Sequence, residues 1–180
     1  MLIEIPKGSR VKYEFDRDLN VIVVDRILHS SVVYPYNYGE IVQTFYDDGD
    51  PLDIIVVGFE PIQPGTIMEV KPIGLLIMED EKGRDDKIVG VPVSDPRFKE
   101  INDIQDLPSH IVKEIAEFFE TYKRLEPGKW VKVKEWKRRE EALKAIQRGM
   151  ELYKKEFKKH QELSRTATAG KFKSGLADHS

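Results

Sequence analysis

The sequence predicts an α+β fold that is mainly β, a small closed barrel flanked by two helices near the C-terminal end. Short apolar segments, most of them separated by Gly-, Pro- or Asp-rich turns, fill the chain from Arg10 to about Val93. After Asp103 the apolar period changes from two residues to that of a helix. With 180 residues, of which 40% are hydrophobic, the chain is long enough to bury one core.

The strands are predicted from short apolar runs. Val11, Tyr13 and Phe15 alternate with Lys12 and Glu14, which is typical of a strand with one buried face. Further strands are predicted at residues 21–28, 41–45, 54–57, 66–78 and 88–93. Short strands with frequent turns favour a closed barrel.

Two helices are predicted after the strands. The first begins near Pro108 and ends at Pro127-Gly128, and its apolar residues recur at helical spacing. A short strand at 130–133 and a second helix from 140 to about 163 follow. Residues 164–180 are rich in small and polar residues, so we expect a disordered tail there and a single domain over 1–163.

Composition excludes several classes of protein. The formal net charge is −3, which favours neither nucleic acid nor acidic lipid as a partner. The chain contains no cysteine, so a thiol nucleophile and a thiolate metal site are excluded. There is no apolar stretch long enough to span a membrane and no signal peptide, so a cytoplasmic location is expected.

Two acidic turns are the most informative segments. Asp48, Asp50 and Asp53 lie within six residues beside Gly49 and Pro51, and carboxylates this close repel one another unless a cation neutralises them. A second acidic turn spans residues 79–87. Without Cys or clustered His, a metal here must be oxygen-bound, hence Mg²⁺, Mn²⁺ or Ca²⁺. Taken alone, Asp-Gly-Asp-Pro fits an ordinary hairpin turn equally well.

Basic and tyrosine residues elsewhere are candidate phosphate ligands. Lys12 and Glu14 share one strand face, which is either solvated or the wall of a polar cleft. Arg26 ends an apolar run, and its spacing does not distinguish an edge residue from an anion ligand. The tyrosines of residues 34–39 fit packing or hydroxyl donors to phosphate, and Tyr122-Lys123 ends the first helix.

At these residues the chain resembles the soluble inorganic pyrophosphatases of family I, from Ile3 to about Trp136. The aspartate segment 48–53 is the family's specific motif. Further matching segments, in chain order, are 3–6, 11–14, 24–26, 34–35, 37–39, 78–81, 85–87, 118–120, 122–123 and 128–133. One departure is Glu40, where an aromatic residue is usual.

The resemblance implies a five-stranded, OB-like barrel and Mg²⁺-dependent hydrolysis of pyrophosphate to two phosphates, with Mn²⁺ as an alternative ion. It implies Asp50 as the general base for a water that bridges two metal ions. The implied metal ligands are Asp48, Asp53, Asp80, Asp85 and Glu14. The implied phosphate ligands are Lys12, Arg26, Tyr38, Lys87, Tyr122 and Lys123. Tyr34 and Glu4 match residues at the edge of the cleft.

The resemblance also implies a homo-oligomer; hexamers are typical of prokaryotic members of that family and dimers of others, so a hexamer is favoured and a dimer is the alternative. Two other functions fit parts of the sequence. An OB-like module that binds nucleic acid would use aromatics and a basic groove, but the aspartates would repel a phosphate backbone. A metal-dependent phosphatase acting on organic phosphates is the other alternative.

Overall fold

The computed structural model describes residues 1–46 and 49–174, with side chains through residue 158. It is mainly β with two α-helices. The elements of the described chain are β1 (Leu2–Ile5), β2 (Val11–Asp16), β3 (Val21–Ile27), β4 (Asn37–Glu40), β5 (Asp53–Val56), β6 (Val70–Asp80), β7 (Gly83–Arg84), β8 (Lys87–Pro92), α1 (Ser109–Thr121), β9 (Val131–Arg138) and α2 (Arg139–Ser174).

The strands form one large sheet and one separate hairpin. The seven-stranded sheet has the order β1-β4-β5-β8-β6-β7, and β9 also pairs with β6. Only β5 and β8 are parallel. Strands β2 and β3 hydrogen-bond to each other in a two-stranded sheet. The predicted closed five-stranded barrel is therefore not confirmed in the described residues, because apolar periodicity identifies strands without identifying their partners.

The strand predicted at residues 41–45 is wrong, and β4 lies just before it instead. Gly39 makes this possible, because a Cβ there would stand 2.0 Å from the carbonyl oxygen of Leu2 on β1. After β4 the chain turns, and the side chain of Thr44 hydrogen-bonds the backbone on both sides of this turn. Its hydroxyl donates to the Ile41 carbonyl at 2.6 Å and accepts from the Leu52 amide at 3.1 Å.

The core lies on both faces of the sheet. On one face Ile55 and Val89 pack in a cluster with Phe118 and Phe119 of α1. The opposite face forms a second cluster that includes Ile54, Val56, Leu75, Ile88 and Ala142 of α2. Alternate residues of β5 thus belong to different clusters, which explains its continuous apolar run.

The helices match the predicted pattern with shifted ends. The first ends at Thr121 and turns follow it to Gly128. The second, α2, extends past residue 163, the predicted end of the domain. Residues 175–180 of the predicted tail lie outside the described residues, and the domain boundary stays a prediction. No helix in the described part of the chain has the length and apolar character needed to cross a membrane.

Candidate active site

A cleft of about 630 Å³ opens between the large sheet and the β2–β3 hairpin. Every predicted metal ligand, phosphate ligand and base that the structure describes lines it, whereas Asp48 lies outside the described residues and Tyr34, expected at the edge of the cleft, is buried and does not line it. These residues are Lys12, Glu14, Arg26, Tyr38, Asp50, Asp53, Asp80, Asp85, Lys87, Tyr122 and Lys123. Segments far apart in the chain therefore meet in one place, which is the outcome that the predicted roles require.

One side of the cleft, here called the sheet wall, carries Asp53, Asp80, Asp85 and Lys87. Asp53 begins β5, Asp80 ends β6 and Lys87 begins β8. Because β5 and β8 run parallel with Asp53 opposite Lys87, these side chains share one edge of the sheet. A parallel strand pair therefore brings together residues 34 positions apart.

Lys87 is the most buried charge of the sheet wall, with 2% of its surface exposed. Its ammonium donates to Asp53 Oδ2 at 2.5 Å and to Asp85 Oδ1. Burial opposes its charge, but the attraction of both carboxylates outweighs burial and raises the pKa of Lys87. Burial, and repulsion from Asp53, also raise the pKa of Asp85 despite the attraction of Lys87.

A second buried pair joins the sheet wall to the segment after α1. The Lys123 ammonium donates to Asp80 Oδ2 at 2.5 Å, and Asp80 Oδ1 accepts from the Lys82 amide at 2.8 Å. Burial opposes ionisation of Asp80, but these two hydrogen bonds outweigh it and lower the pKa of Asp80. A paired carboxylate thus stays ionised at the end of β6.

Three buried tyrosines form the floor of the site. Tyr34 packs its ring against those of Tyr38 and Phe118, with centroids 5.4 and 4.7 Å apart. Burial raises the pKa of Tyr34, Tyr38 and Tyr122 well above the usual range, and the nearby carboxylates raise it further. The hydroxyls of Tyr38 and Tyr122, which line the cleft, therefore remain protonated and able to donate hydrogen bonds.

The other side, here called the hairpin wall, carries Lys12, Glu14, Asp25 and Arg26 on β2 and β3. Lys12 lies opposite Arg26 in the ladder. The Lys12 ammonium contacts Glu14 and lies 3.3 Å from Asp25. The face that carries Lys12 and Glu14 is thus the wall of a cleft, which decides between the two interpretations left open by the sequence.

Arg26 is held from behind, and one of its nitrogen atoms has no partner. Its Nε donates to Glu126 Oε1 at 2.8 Å, and its Nη1 donates to Asp25 at 2.5 Å. Its Nη2 is buried and has no hydrogen-bond partner among the described groups. A buried cationic donor without a partner is costly, so this position favours an anionic ligand.

The donor set of the cleft fits a hard divalent cation. All the candidate ligands are carboxylates, and the chain has no cysteine. Among the described residues, no three acidic or histidine side chains are gathered closely enough to hold a metal ion. Lysine ammonium groups instead neutralise the carboxylates, so positive charge already occupies the acidic wall.

Glu126 is a site residue that the sequence did not reveal. It is 4% exposed and bonds Lys129 at 2.7 Å as well as Arg26. In the sequence Glu126 is a lone carboxylate among Lys123, Arg124 and Lys129, a pattern that equally indicates a surface ion pair. Its contact with Arg26 spans 100 positions of the chain, a separation beyond the reach of local patterns.

Comparisons with known proteins agree on one family. A model of the family "Inorganic pyrophosphatase" matches residues 1–154. The inorganic pyrophosphatase of Aquifex pyrophilus is 50% identical over 157 residues, which cover 86% of this chain and 89% of that protein. That of Saccharolobus solfataricus is 49% identical over 153 residues, 84% of this chain and 89% of that protein.

Solved structures give the same result. The crystal structure of inorganic pyrophosphatase from Thermus thermophilus has a TM-score of 0.84 and 49% identity, covering 86% of this chain and 90% of that chain. The enzyme from Helicobacter pylori has a TM-score of 0.83 and 41% identity, covering 85% and 91%. With its acidic and basic cleft, this chain belongs to the inorganic pyrophosphatase family, enzymes that hydrolyse pyrophosphate and require a divalent metal.

Proposed function

We propose that this cleft hydrolyses pyrophosphate with Mg²⁺ as its cofactor and Asp50 as the general base, Mn²⁺ being an alternative ion. The observation that carries the proposal is the opposition of two charged walls. The sheet wall offers carboxylates to cations, and the hairpin wall offers a buried, unpartnered guanidinium nitrogen to an anion. Pyrophosphate complexed with divalent ions presents both charges at once.

The proposed metal ligands are Asp48, Asp53, Asp80, Asp85 and Glu14. A bound divalent ion neutralises phosphate oxygens and acidifies water at the site. Asp53 and Asp85 are paired with Lys87, and Asp80 with Lys123. These lysines offset the repulsion between the carboxylates in the metal-free protein.

Asp50 suits the role of base because it is exposed in a turn at the mouth of the cleft. Gly49, which precedes it, has φ +88°, a conformation that side-chain-bearing residues rarely adopt. This turn presents the Asp50 carboxylate to solvent, where it takes the proton of the attacking water. Substrate is then cleaved between its two phosphoryl groups.

The proposed phosphate ligands are Lys12, Arg26, Tyr38, Lys87, Tyr122 and Lys123. The Nη2 of Arg26 supplies a donor that no described protein group uses. The hydroxyls of Tyr38 and Tyr122 supply neutral donors, because burial keeps them protonated. Together these groups orient the substrate and offset the charge left on the phosphate.

We further propose that the chain acts in the cytoplasm as a homo-oligomer, with a hexamer favoured and a dimer as the alternative. Large apolar side chains that the described chain leaves exposed, among them Leu19, Val24 and Ile67, support an assembly of copies. Sedimentation equilibrium of the full chain measures this directly, and a monomer at micromolar concentration would contradict it.

Phosphate release from pyrophosphate tests the proposed chemistry. With Mg²⁺ we expect rapid turnover, with EDTA none, and with Asp50→Asn a kcat lower by about 100-fold or more, because a carboxamide cannot accept the proton. Asp18→Asn, the same change at an exposed position of the hairpin turn, should leave kcat unchanged.

Three outcomes would contradict the proposal. Full activity in Asp50→Asn would mean that Asp50 is not the general base, although the assignment as a pyrophosphatase would stand. Faster release of phosphate from nucleoside triphosphates or organic monoesters than from pyrophosphate would favour the broader phosphatase. Binding of single-stranded nucleic acid without any hydrolysis would favour the OB-like binding module.

A further inference from the structure

We propose that Tyr46 and Asp86 are positioning residues that hold the two acidic segments of the cleft at a fixed separation. The first segment is the turn that leads through Asp50 to Asp53, and the second runs through Asp85 to Lys87. Neither Tyr46 nor Asp86 is among the residues that line the cleft. The inference rests on the proposed metal-binding role of these segments and concerns how their geometry is maintained.

Tyr46 closes the first acidic turn through its backbone. Its amide donates to the Asp50 carbonyl at 2.7 Å, and its carbonyl accepts from the Gly49 amide at 3.1 Å. Any displacement of Tyr46 is therefore transmitted directly to the backbone of Asp50. Tyr46 therefore offers one point at which this turn is anchored to the rest of the fold.

Asp86 is the anchor. The Tyr46 hydroxyl donates to Asp86 Oδ2 at 2.6 Å, and Asp86 is 4% exposed. The same oxygen accepts from Arg84 Nε at 2.7 Å, and Asp86 Oδ1 accepts from the Met78 amide at 3.3 Å. One buried carboxylate thus joins the acidic turn, β6 and β7.

The joined segments are the ones that carry the proposed metal ligands. Asp86 directly follows Asp85, and Met78 lies on β6 two positions before Asp80. The Asp85 amide also donates to the Met78 carbonyl at 3.0 Å, which fixes the second segment against β6. The contact between Tyr46 and Asp86 adds a second connection between the two segments, beside the pairing of Asp53 with Lys87.

Electrostatics explains why such a connection is needed. Each segment carries carboxylates that repel those of the other, and in the metal-free protein Lys87 offsets part of this repulsion by pairing with Asp53 and Asp85. A hydrogen bond to a carboxylate is stronger than one between neutral groups, and Arg84 neutralises Asp86 through two of its nitrogens. The Arg84 guanidinium also lies 5.9 Å from the centre of the Tyr46 ring. The connection therefore resists repulsion without adding net negative charge to the cleft.

Tyr46→Phe tests the inference, because it removes the hydroxyl and keeps the ring beside Arg84. We expect calorimetric titration of the full chain with Mg²⁺ to show Kd raised about tenfold, the size typical of lost supporting contacts around a metal. At saturating Mg²⁺, kcat should stay within about twofold of the wild type, since the variant removes no group that touches metal or substrate.

Tyr36→Phe is the matched control. It removes a tyrosine hydroxyl that lies 3.4 Å from Glu114 of α1, remote from the acidic turn. Its Kd for Mg²⁺ should equal that of the wild type. Asp86→Ala breaks the same connection from the other side, and if the two residues act as a unit, Tyr46→Phe/Asp86→Ala binds Mg²⁺ no more weakly than Asp86→Ala.

Three outcomes separate the inference from the proposed function. Wild-type Kd in Tyr46→Phe, or an equal change in Tyr36→Phe, overturns the inference alone. Additive losses in the double variant overturn the coupling of the pair. If the wild type binds no Mg²⁺, or if Asp53→Asn leaves Kd unchanged, the proposed metal sites fail and the inference fails with them. Urea unfolding midpoints of each variant identify any that fail to fold.

Discussion

The sheet wall and the hairpin wall face the same cleft but hold their charges differently. On the sheet wall, Lys87 is buried between Asp53 and Asp85 and is matched by both. On the hairpin wall, Glu14 is half-exposed, and Arg26 has a nitrogen without a partner in the described structure. The buried charges of the sheet wall are therefore paired with one another, whereas the hairpin wall keeps a nitrogen donor that can bind an anion.

This difference explains how one small cleft could bind both cations and anions. Buried lysine pairs on the sheet wall offset the repulsion between its carboxylates in the metal-free protein. The hairpin wall uses Glu126 to orient Arg26 from behind, which leaves the front of the guanidinium for an anion. We infer that the sheet wall governs stability and most of the metal binding, and that Arg26 of the hairpin wall contributes to affinity for substrate.

The largest effect on stability is expected from Lys87→Met, which removes the cation of the sheet wall. Two partly buried carboxylates are then left unpaired, and the free energy of unfolding of the metal-free protein should fall by about 3 kcal/mol. Saturating Mg²⁺ should recover part of this loss. Urea unfolding with and without Mg²⁺ measures both effects.

The matched control for Lys87 is Lys134→Met. Lys134 pairs with Glu79 at 2.6 Å, but 37% and 39% of these side chains are exposed. Its loss should cost less than about 1 kcal/mol, with no response to Mg²⁺. Equal losses in the two variants would mean that burial does not distinguish the sheet wall.

A slightly smaller and pH-dependent effect is expected from Glu4→Gln, at the joint between the two walls. Glu4 of β1 accepts from the Phe15 amide of β2 at 2.8 Å, and burial raises its pKa from the ordinary 4.5 to about 7. Protonated Glu4 is therefore favoured in the folded state. The stability it contributes is complete below pH 4.5 and is lost as pH rises through 7.

Glutamine stays neutral, so Glu4→Gln should match the wild type near pH 4.5 and exceed it at pH 8.5. The shift in pKa corresponds to a gain of up to about 3 kcal/mol in unfolding free energy. Thermal or urea unfolding of metal-free protein at both pH values measures the gain. Glu100→Gln, at an exposed position, should show no such trend, and a difference independent of pH would contradict the explanation.

A smaller effect, confined to the hairpin wall, is expected from Glu126→Gln. Loss of the charged acceptor behind Arg26 should raise KM for pyrophosphate about tenfold, equivalent to about 1.4 kcal/mol, and change kcat less. Steady-state phosphate release measures both constants. Glu135→Gln, which alters an exposed pair with Lys137 at 2.8 Å, is the control. A fall in kcat with unchanged KM would place Glu126 outside substrate binding.

The smallest effect is expected from deletion of residues 164–180. This segment contains few apolar residues to bury, so kcat and KM should stay within about twofold of the full chain. Deletion from residue 142 onward removes buried Ala142 and should lower the unfolding midpoint. A large loss of activity in the shorter deletion would make the tail part of the fold or the assembly.

The site was predictable where chemistry is concentrated in short segments. Asp48, Asp50 and Asp53 fall within six positions, and Lys12 and Glu14 on one strand face, so residue types and spacing marked them as candidates, while their roles came from the family resemblance. The apolar runs at 54–57 and 88–93 likewise predicted strands that the structure contains. These features depend on residues that are close together in the sequence, so a local pattern can reveal them.

Only the tertiary structure decided which segments meet. Parallel pairing of β5 with β8 puts Asp53 beside Lys87, and the turn after α1 brings Glu126 to Arg26. The strand predicted at 41–45 was wrong. Gly39 lets β1 and β4 approach closely, and beyond β4 the Thr44 hydroxyl accepts the hydrogen bond from the Leu52 amide. The sequence by itself therefore determined the charged groups and their local order. Strand partners and buried ion pairs were decided by packing, because each is a contact between residues that local periodicity cannot connect.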